Sequence, residues 1–191
     1  MWHNWNISSG NKYIPIGGRA LTKHLATLLS QNGVSLQTTS ELDLVRQIKE
    51  SSQPFDGKSY DCAEPLFNPS LLGFEHNGLA EAIYDTIMKC DIDLRMELAA
   101  NILLSGGNTM FPGFAERLER KVAALCPAKM KVNVIAREDR VLMPWVGGSI
   151  LASLSTFQQR WVTKEEYEEL GEHVVNRKRF YTMYDKDRLF W

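Results

Sequence analysis

Apolar residues fall in short runs and in stripes of helical spacing along this chain. Ile102-Leu103-Leu104 is an apolar run too short for a helix, closed at once by Ser105-Gly106-Gly107, and it predicts a buried strand followed by a glycine turn. Phe114, Leu118, Val122 and Leu125 then recur at helical spacing, with Pro112 placed to open the first helical turn. Leu21, Leu25, Leu28 and Leu29 stripe an earlier helix that Gly33 stops. Leu42, Val45 and Ile48 stripe another, starting near Thr39-Ser40 with Asp43 as its capping-box acid. Its opposite face, Arg46, Lys49 and Glu50, reads as solvated from spacing alone. Leu79, Ile83 and Ile87 mark a further helix. Asp91 and Asp93 cannot share a helix face, so they read as capping residues for a helix beginning near Leu94.

Residues 130–136 alternate well enough for a strand, and 137–140 form a charged turn. Gly147-Gly148 supplies a second glycine pair, here entering the apolar helix of residues 145–154. Thr163 and Glu166 have capping-box spacing. Residues 34–37 read as a connector or edge strand, 51–62 as a loop, and 67–74 as a packed loop or an exposed apolar plug. Residues 1–13 read as irregular, and 174–191 as a surface-running tail. Two strand–glycine–helix units with a strand between them predict an α/β arrangement. The pair Gly106-Gly107 either makes a tight turn or lets the backbone approach a ligand such as a nucleotide, or another strand; from pattern alone the turn is the commoner outcome.

Composition narrows the function classes. The 191 residues carry a formal net charge of −1 and are 44% hydrophobic, which gives no pull toward nucleic acid or an anionic membrane. No apolar run is long enough to span a bilayer, and the first residues lack the basic and apolar regions of a signal peptide. Cys62, Cys90 and Cys126 make neither a disulfide framework nor a zinc site, which suits a reducing compartment. His3, His24, His76 and His173 have no metal-ligand spacing, and no Walker lysine or serine elbow occurs.

Longer words in the sequence are more specific. Ile87-Met88-Lys89-Cys90-Asp91-Ile92-Asp93, Leu104-Ser105-Gly106-Gly107-Asn108-Thr109-Met110-Phe111-Pro112-Gly113, Trp145-Val146-Gly147-Gly148-Ser149-Ile150-Leu151-Ala152-Ser153-Leu154 and Arg177-Lys178-Arg179-Phe180 resemble the C-terminal half of actin. Upstream, Gly18-Arg19-Ala20-Leu21-Thr22 and Val45-Arg46-Gln47-Ile48-Lys49-Glu50 resemble the start of actin's second large domain. The resemblance spans roughly residues 14–180. It implies part of the ATPase fold shared by actin, Hsp70 and sugar kinases, mainly the second large lobe plus the C-terminal helices of the first. On that reading residues 1–13 are irregular, 14–62 are a trimmed subdomain 4, 63–141 are subdomain 3, 142–180 are C-terminal helices of subdomain 1, and 181–191 are an extra tail.

By the same resemblance Gly18, Arg46, Lys49, Glu50, Gly106, Gly107 and Met110 line the ribose and adenine side of an ATP pocket. The chemistry suits them: glycines admit a ligand closely, a carboxylate accepts from ribose hydroxyls, and cationic side chains donate beside the base. The family's N-terminal half, with its phosphate-gripping hairpins and metal-organising aspartates, has no match here. Phosphoryl transfer is almost wholly positioning and charge stabilisation. The expectation is therefore weak or absent ATP or ADP binding, no metal site, no catalytic residue and no ATPase activity. Val141 replaces a lysine that touches adenine in actins, and Arg160 replaces an apolar residue of the cleft used by binding proteins. Residues 38–41, 67–74, 91–93 and 127–130 match surfaces used between actin subunits. Expected partners are proteins (actin, actin-related proteins or actin-binding proteins), with neither nucleic acid nor membrane involved. The expected location is the cytoplasm and cytoskeleton, with the nucleus as an alternative. The competing expectation is a fragment or splice product of an ATP-binding actin-like ATPase whose nucleotide site needs the missing half.

Overall fold

A computed structural model describes residues 12–36, 38–51 and 62–178. Among these the chain divides after Leu142 into two compact units. The sequence expectations for residues 1–11, 52–61 and 179–191 lie outside the described residues, as does the side chain of Arg160.

The first unit opens with helix α1 (Gly18–Gln31), which buries Leu21, Leu25 and Leu29 on one face. Its C-terminal turn reaches Gly33, whose φ of 89° is cheap only for glycine. Residues 34–36 are a connector without strand pairing. Helix α2 (Thr39–Ser51) follows. Its capping box is not the Ser40–Asp43 pair. Thr38 Oγ1 accepts from the Glu41 N–H at 3.3 Å, and Glu41 Oε2 accepts from the Thr38 N–H at 2.8 Å. The spacing is the expected one, moved toward the N-terminus so that the residue before the helix does the capping.

Helix α3 (Glu64–Phe67) and a 3-10 turn (Pro69–Leu72) form the packed version of the 67–74 segment. Phe67 and Pro69 are buried, and only Leu71 of its large apolar side chains stands well out. Arg117 both pairs with Glu64 and lies 4.3 Å over the Phe67 ring. Helix α4 (Leu79–Lys89) leads into α5 (Ile92–Ala100). Asp91 occupies the N-cap position of α5 without a side-chain capping bond, and the helix starts before Leu94. The α4–α5 turn is instead tied by Arg95 Nε, which donates to the Cys90 carbonyl at 2.9 Å.

Strand β1 (Ile102–Leu103), helix α6 (Phe114–Leu125) and strand β2 (Val134–Ile135) make a βαβ unit, with Ile102 beside Val134 and Leu103 beside Ile135 in parallel register. The strands are shorter than the apolar runs that predicted them. The Val134 N–H points away from β1 and donates to Glu119 Oε2 of α6 at 3.1 Å. Phe114, Leu118 and Val122 of α6 are buried, while Leu125 is 39% exposed. Pro112 precedes the helix rather than entering it; Gly113, with φ 70°, is the N-cap. The main core joins Leu21, Phe67, Ile87, Leu104, Phe114 and Leu118. A smaller cluster of Leu25, Leu29, Val45 and Cys62 fastens α1 to α2, and Phe111 packs against both.

The second unit contains α7 (Met143–Ser153), a 3-10 turn (Ser155–Arg160), α8 (Lys164–Leu170) and α9 (His173–Lys178). Gly147 and Gly148 lie inside α7, not in a turn before it, so the second strand–glycine–helix unit of the sequence reading is not formed. The capping box of α8 forms as spaced: Thr163 Oγ1 accepts from the Glu166 N–H, and Glu166 returns the bond. Residues 173–178 are helical. Val174 is buried.

Candidate functional site

The wall of the site begins where α2 lies against α1. Lys49 follows Val45 by one helical turn, so it continues the stripe that faces α1 instead of the solvated face. It is only 8% exposed. Its ammonium donates to the Gly18 carbonyl at 3.1 Å and to Thr22 Oγ1 at 3.1 Å. Thr22 Oγ1 in turn donates to the same Gly18 carbonyl at 2.9 Å. The ammonium has three N–H groups, and these acceptors leave one. No carboxylate among the described residues forms an ion pair with it. An unpaired buried cation is costly unless a ligand or polar groups compensate it.

The glycine loop arrives from the other side. Gly106 has φ 93°, and a short 3-10 turn (Gly107–Thr109) follows it. This brings Asn108 beside Gly18. A Cβ on Gly18 would sit 3.3 Å from Asn108 Oδ1 and 3.4 Å from Lys49 Nζ, so the absent side chain is what lets the three meet. Met110 closes the loop with 37% of its surface exposed.

Arg140 holds the loop from behind. Its Nη2 and Nε donate to the Thr109 carbonyl at 3.0 and 3.3 Å, and Nε also reaches Thr109 Oγ1 at 3.2 Å. The Arg140 carbonyl accepts from the Gly106 N–H at 2.9 Å, and Nη1 donates to the Arg137 carbonyl at 2.7 Å. The charged turn is thus split in character. Arg137 and Asp139 form an exposed pair at 2.9 Å, which lowers the Asp139 carboxyl below and raises the Arg137 guanidinium above their ordinary values.

The structure therefore gathers Gly18 and Lys49 with the loop that carries Gly106, Gly107 and Met110. Arg46 is held one turn back by Asp43 at 2.9 Å, and Glu50 is exposed beside Lys49. Spacing and resemblance together missed Thr22, Asn108, Thr109 and Arg140. Thr22 shares the first turn of α1 with Gly18, which was the available signal; Arg140 gave none, because its partner is a backbone carbonyl thirty-one residues away. Two open clefts of about 440 Å³ lie elsewhere in this unit, one around Tyr13 and His76 and one between α6 and β2. Neither is lined by any of the candidate residues.

The βαβ unit, the glycine loop ending β1 and the paired α1–α2 helices define an α/β chain. A family model described as Actin matches residues 48–180, more than half of the chain, and the chain belongs to the actin family. Lys49, Glu50, the glycine loop and Arg140 fall inside the matched span; Gly18 and Arg46 lie upstream of it.

Proposed function

We propose that this chain is a non-enzymatic member of the actin family that works through protein–protein contacts in the cytoskeleton or a related complex, with the nucleus as a second location. The observation that carries this reading is α7. The helix is almost wholly apolar and buries none of its residues. Trp145 is 72% exposed and Ile150 61%, and Leu154, just beyond the helix, stands out as well. Apolar surface of this kind marks a face built to be covered by another protein. On this reading the chain comprises the second large lobe and the C-terminal helices of the first, and acts as a partial version of the family fold. Its partners are actin, actin-related proteins or actin-binding proteins. Sedimentation with filamentous actin tests this: the chain should pellet with filaments or change their rate of assembly. Failure of both, with no stable partner among actin-binding proteins, would remove it.

Lys49 favours a second, compatible reading, in which the wall still takes an adenine nucleotide. A buried ammonium with a spare donor, an amide oxygen at Asn108, two backbone glycines and an exposed Met110 thioether fit the ribose and base. When bound, the nucleotide would supply the hydroxyls and ring acceptors that this wall lacks. Glu50 and Arg46 would reach it from α2. Positioning of the phosphates and of an attacking water falls to family parts that these residues do not match, so we propose binding without hydrolysis. Calorimetry with ATP and ADP decides it, and micromolar affinity would support the reading.

A further inference from the structure

We propose that Arg140 is the positioning residue of this wall, holding Asn108 beside Gly18 and Lys49 so that ligand contacts from three separate segments stay in register. The proposal rests on the nucleotide-binding reading above. The guanidinium grips Thr109, the residue next to Asn108, through its carbonyl and its hydroxyl. The Arg140 carbonyl fixes Gly106 on the other side. Asn108 is therefore anchored before and after, although no side-chain hydrogen bond of its own to another described residue secures it. Within the loop the Thr109 hydroxyl and two local backbone bonds add support: Thr109 Oγ1 donates to the Gly106 carbonyl at 2.7 Å, the Thr109 N–H to the same carbonyl, and the Met110 N–H to the Gly107 carbonyl. A glycine pair has no side-chain packing to hold it, so without the guanidinium's grip on Thr109 the backbone from Gly107 to Thr109 is freed, while the backbone bond from Gly106 to residue 140 stays.

A planar fork is needed for this grip. Lysine is a point donor and cannot span a carbonyl, a hydroxyl and a second carbonyl together. Arg140→Lys and Arg140→Gln should therefore behave alike. In both, amide exchange at Thr109 and Met110 should accelerate about tenfold or more while α1 and α6 keep their protection. ATP affinity by calorimetry should fall about tenfold while the thermal midpoint moves by only a few degrees. Acceleration spread over α1 and α6 would mean that Arg140 supports the fold at large, and would overturn the proposal. So would unchanged loop exchange, full rescue by lysine, or a loosened loop that binds ATP as before. If the unsubstituted chain binds no ATP, the nucleotide reading fails by itself, and the clamp is then judged on loop exchange alone.

Discussion

Lys49 Nζ lies 3.1 Å from the carbonyl oxygen of Gly18, and this contact ties the last turns of α2 to the first turn of α1. It places a cation at the end of α1 where the helix dipole is already positive. Two acceptors lessen that cost without supplying a counter-charge. On the nucleotide reading proposed above, such an arrangement serves a ligand rather than stability.

Lys49→Met tests that balance. The apolar stem is kept and the buried charge is removed. The thermal midpoint should stay within a few degrees of the unsubstituted chain or rise. ATP affinity, if calorimetry finds it, should drop about tenfold or more. A large fall in the midpoint would show that the ammonium is a strut and nothing else.

The core makes a contrasting demand. Leu118 is fully buried among residues from α1, α3, α4 and β1, whereas Leu125 on the same helix is 39% exposed. Leu118→Ala should lose about 2–5 kcal/mol in urea unfolding, and Leu125→Ala less than about 1 kcal/mol. Equal losses would mean that the α6 face is assigned wrongly.

Two glycines should respond oppositely to the same change. A Cβ at Gly78 would lie 2.3 Å from the Phe67 carbonyl oxygen, a backbone atom that cannot swing away. Gly147 sits inside α7 with nothing within 4 Å of such a Cβ. Gly78→Ala should therefore destabilise the chain, and Gly147→Ala should stabilise α7 by about 0.5–1 kcal/mol. Circular dichroism melts of both variants would read the difference in sign.

The Lys12–Asp85 pair is one source of acid sensitivity in the first unit, beside the exposed Arg137–Asp139 pair. Lys12 hydrogen-bonds Asp85 and, with lesser help from Asn77, holds its carboxyl below the ordinary value. A depressed carboxyl contributes stability that is present above its unfolded value and is lost as pH falls through the folded value. Asp85→Asn should lower stability near neutrality and narrow the gap to the unsubstituted chain as pH falls below about 4. A gap that stays constant with pH would exclude this pair as a cause.

Sequence reading succeeded where one local rule acts alone. Thr163 and Glu166 cap α8 because their bonds close within one turn. The stripes of α1, α4 and α6 face the core because burial enforces period. It failed where tertiary packing chose between neighbours. Lys49 looked solvent-facing by charge, yet it sits a turn after Val45 and was carried inward with it. Gly147 and Gly148 were expected at the entrance of an apolar helix, but the apolar residues around them continue one helix through both. The site was half legible: the glycine loop and Lys49 came from resemblance, while Thr22, Asn108 and Arg140 needed distances. Arg140 in particular joins the backbone at Thr109, and such pairings leave no trace in residue spacing.

The bond from the Val134 N–H to Glu119 gives the small sheet a direction. The outer side of β2 is closed to another strand. On β1 the N–H groups of Ile102 and Leu104 point toward β2, which turns the backbone of Leu103 outward, and its side chain is 54% exposed. The edge beside Leu103 is therefore the freer one for a further strand, and growth of the sheet is biased to that side.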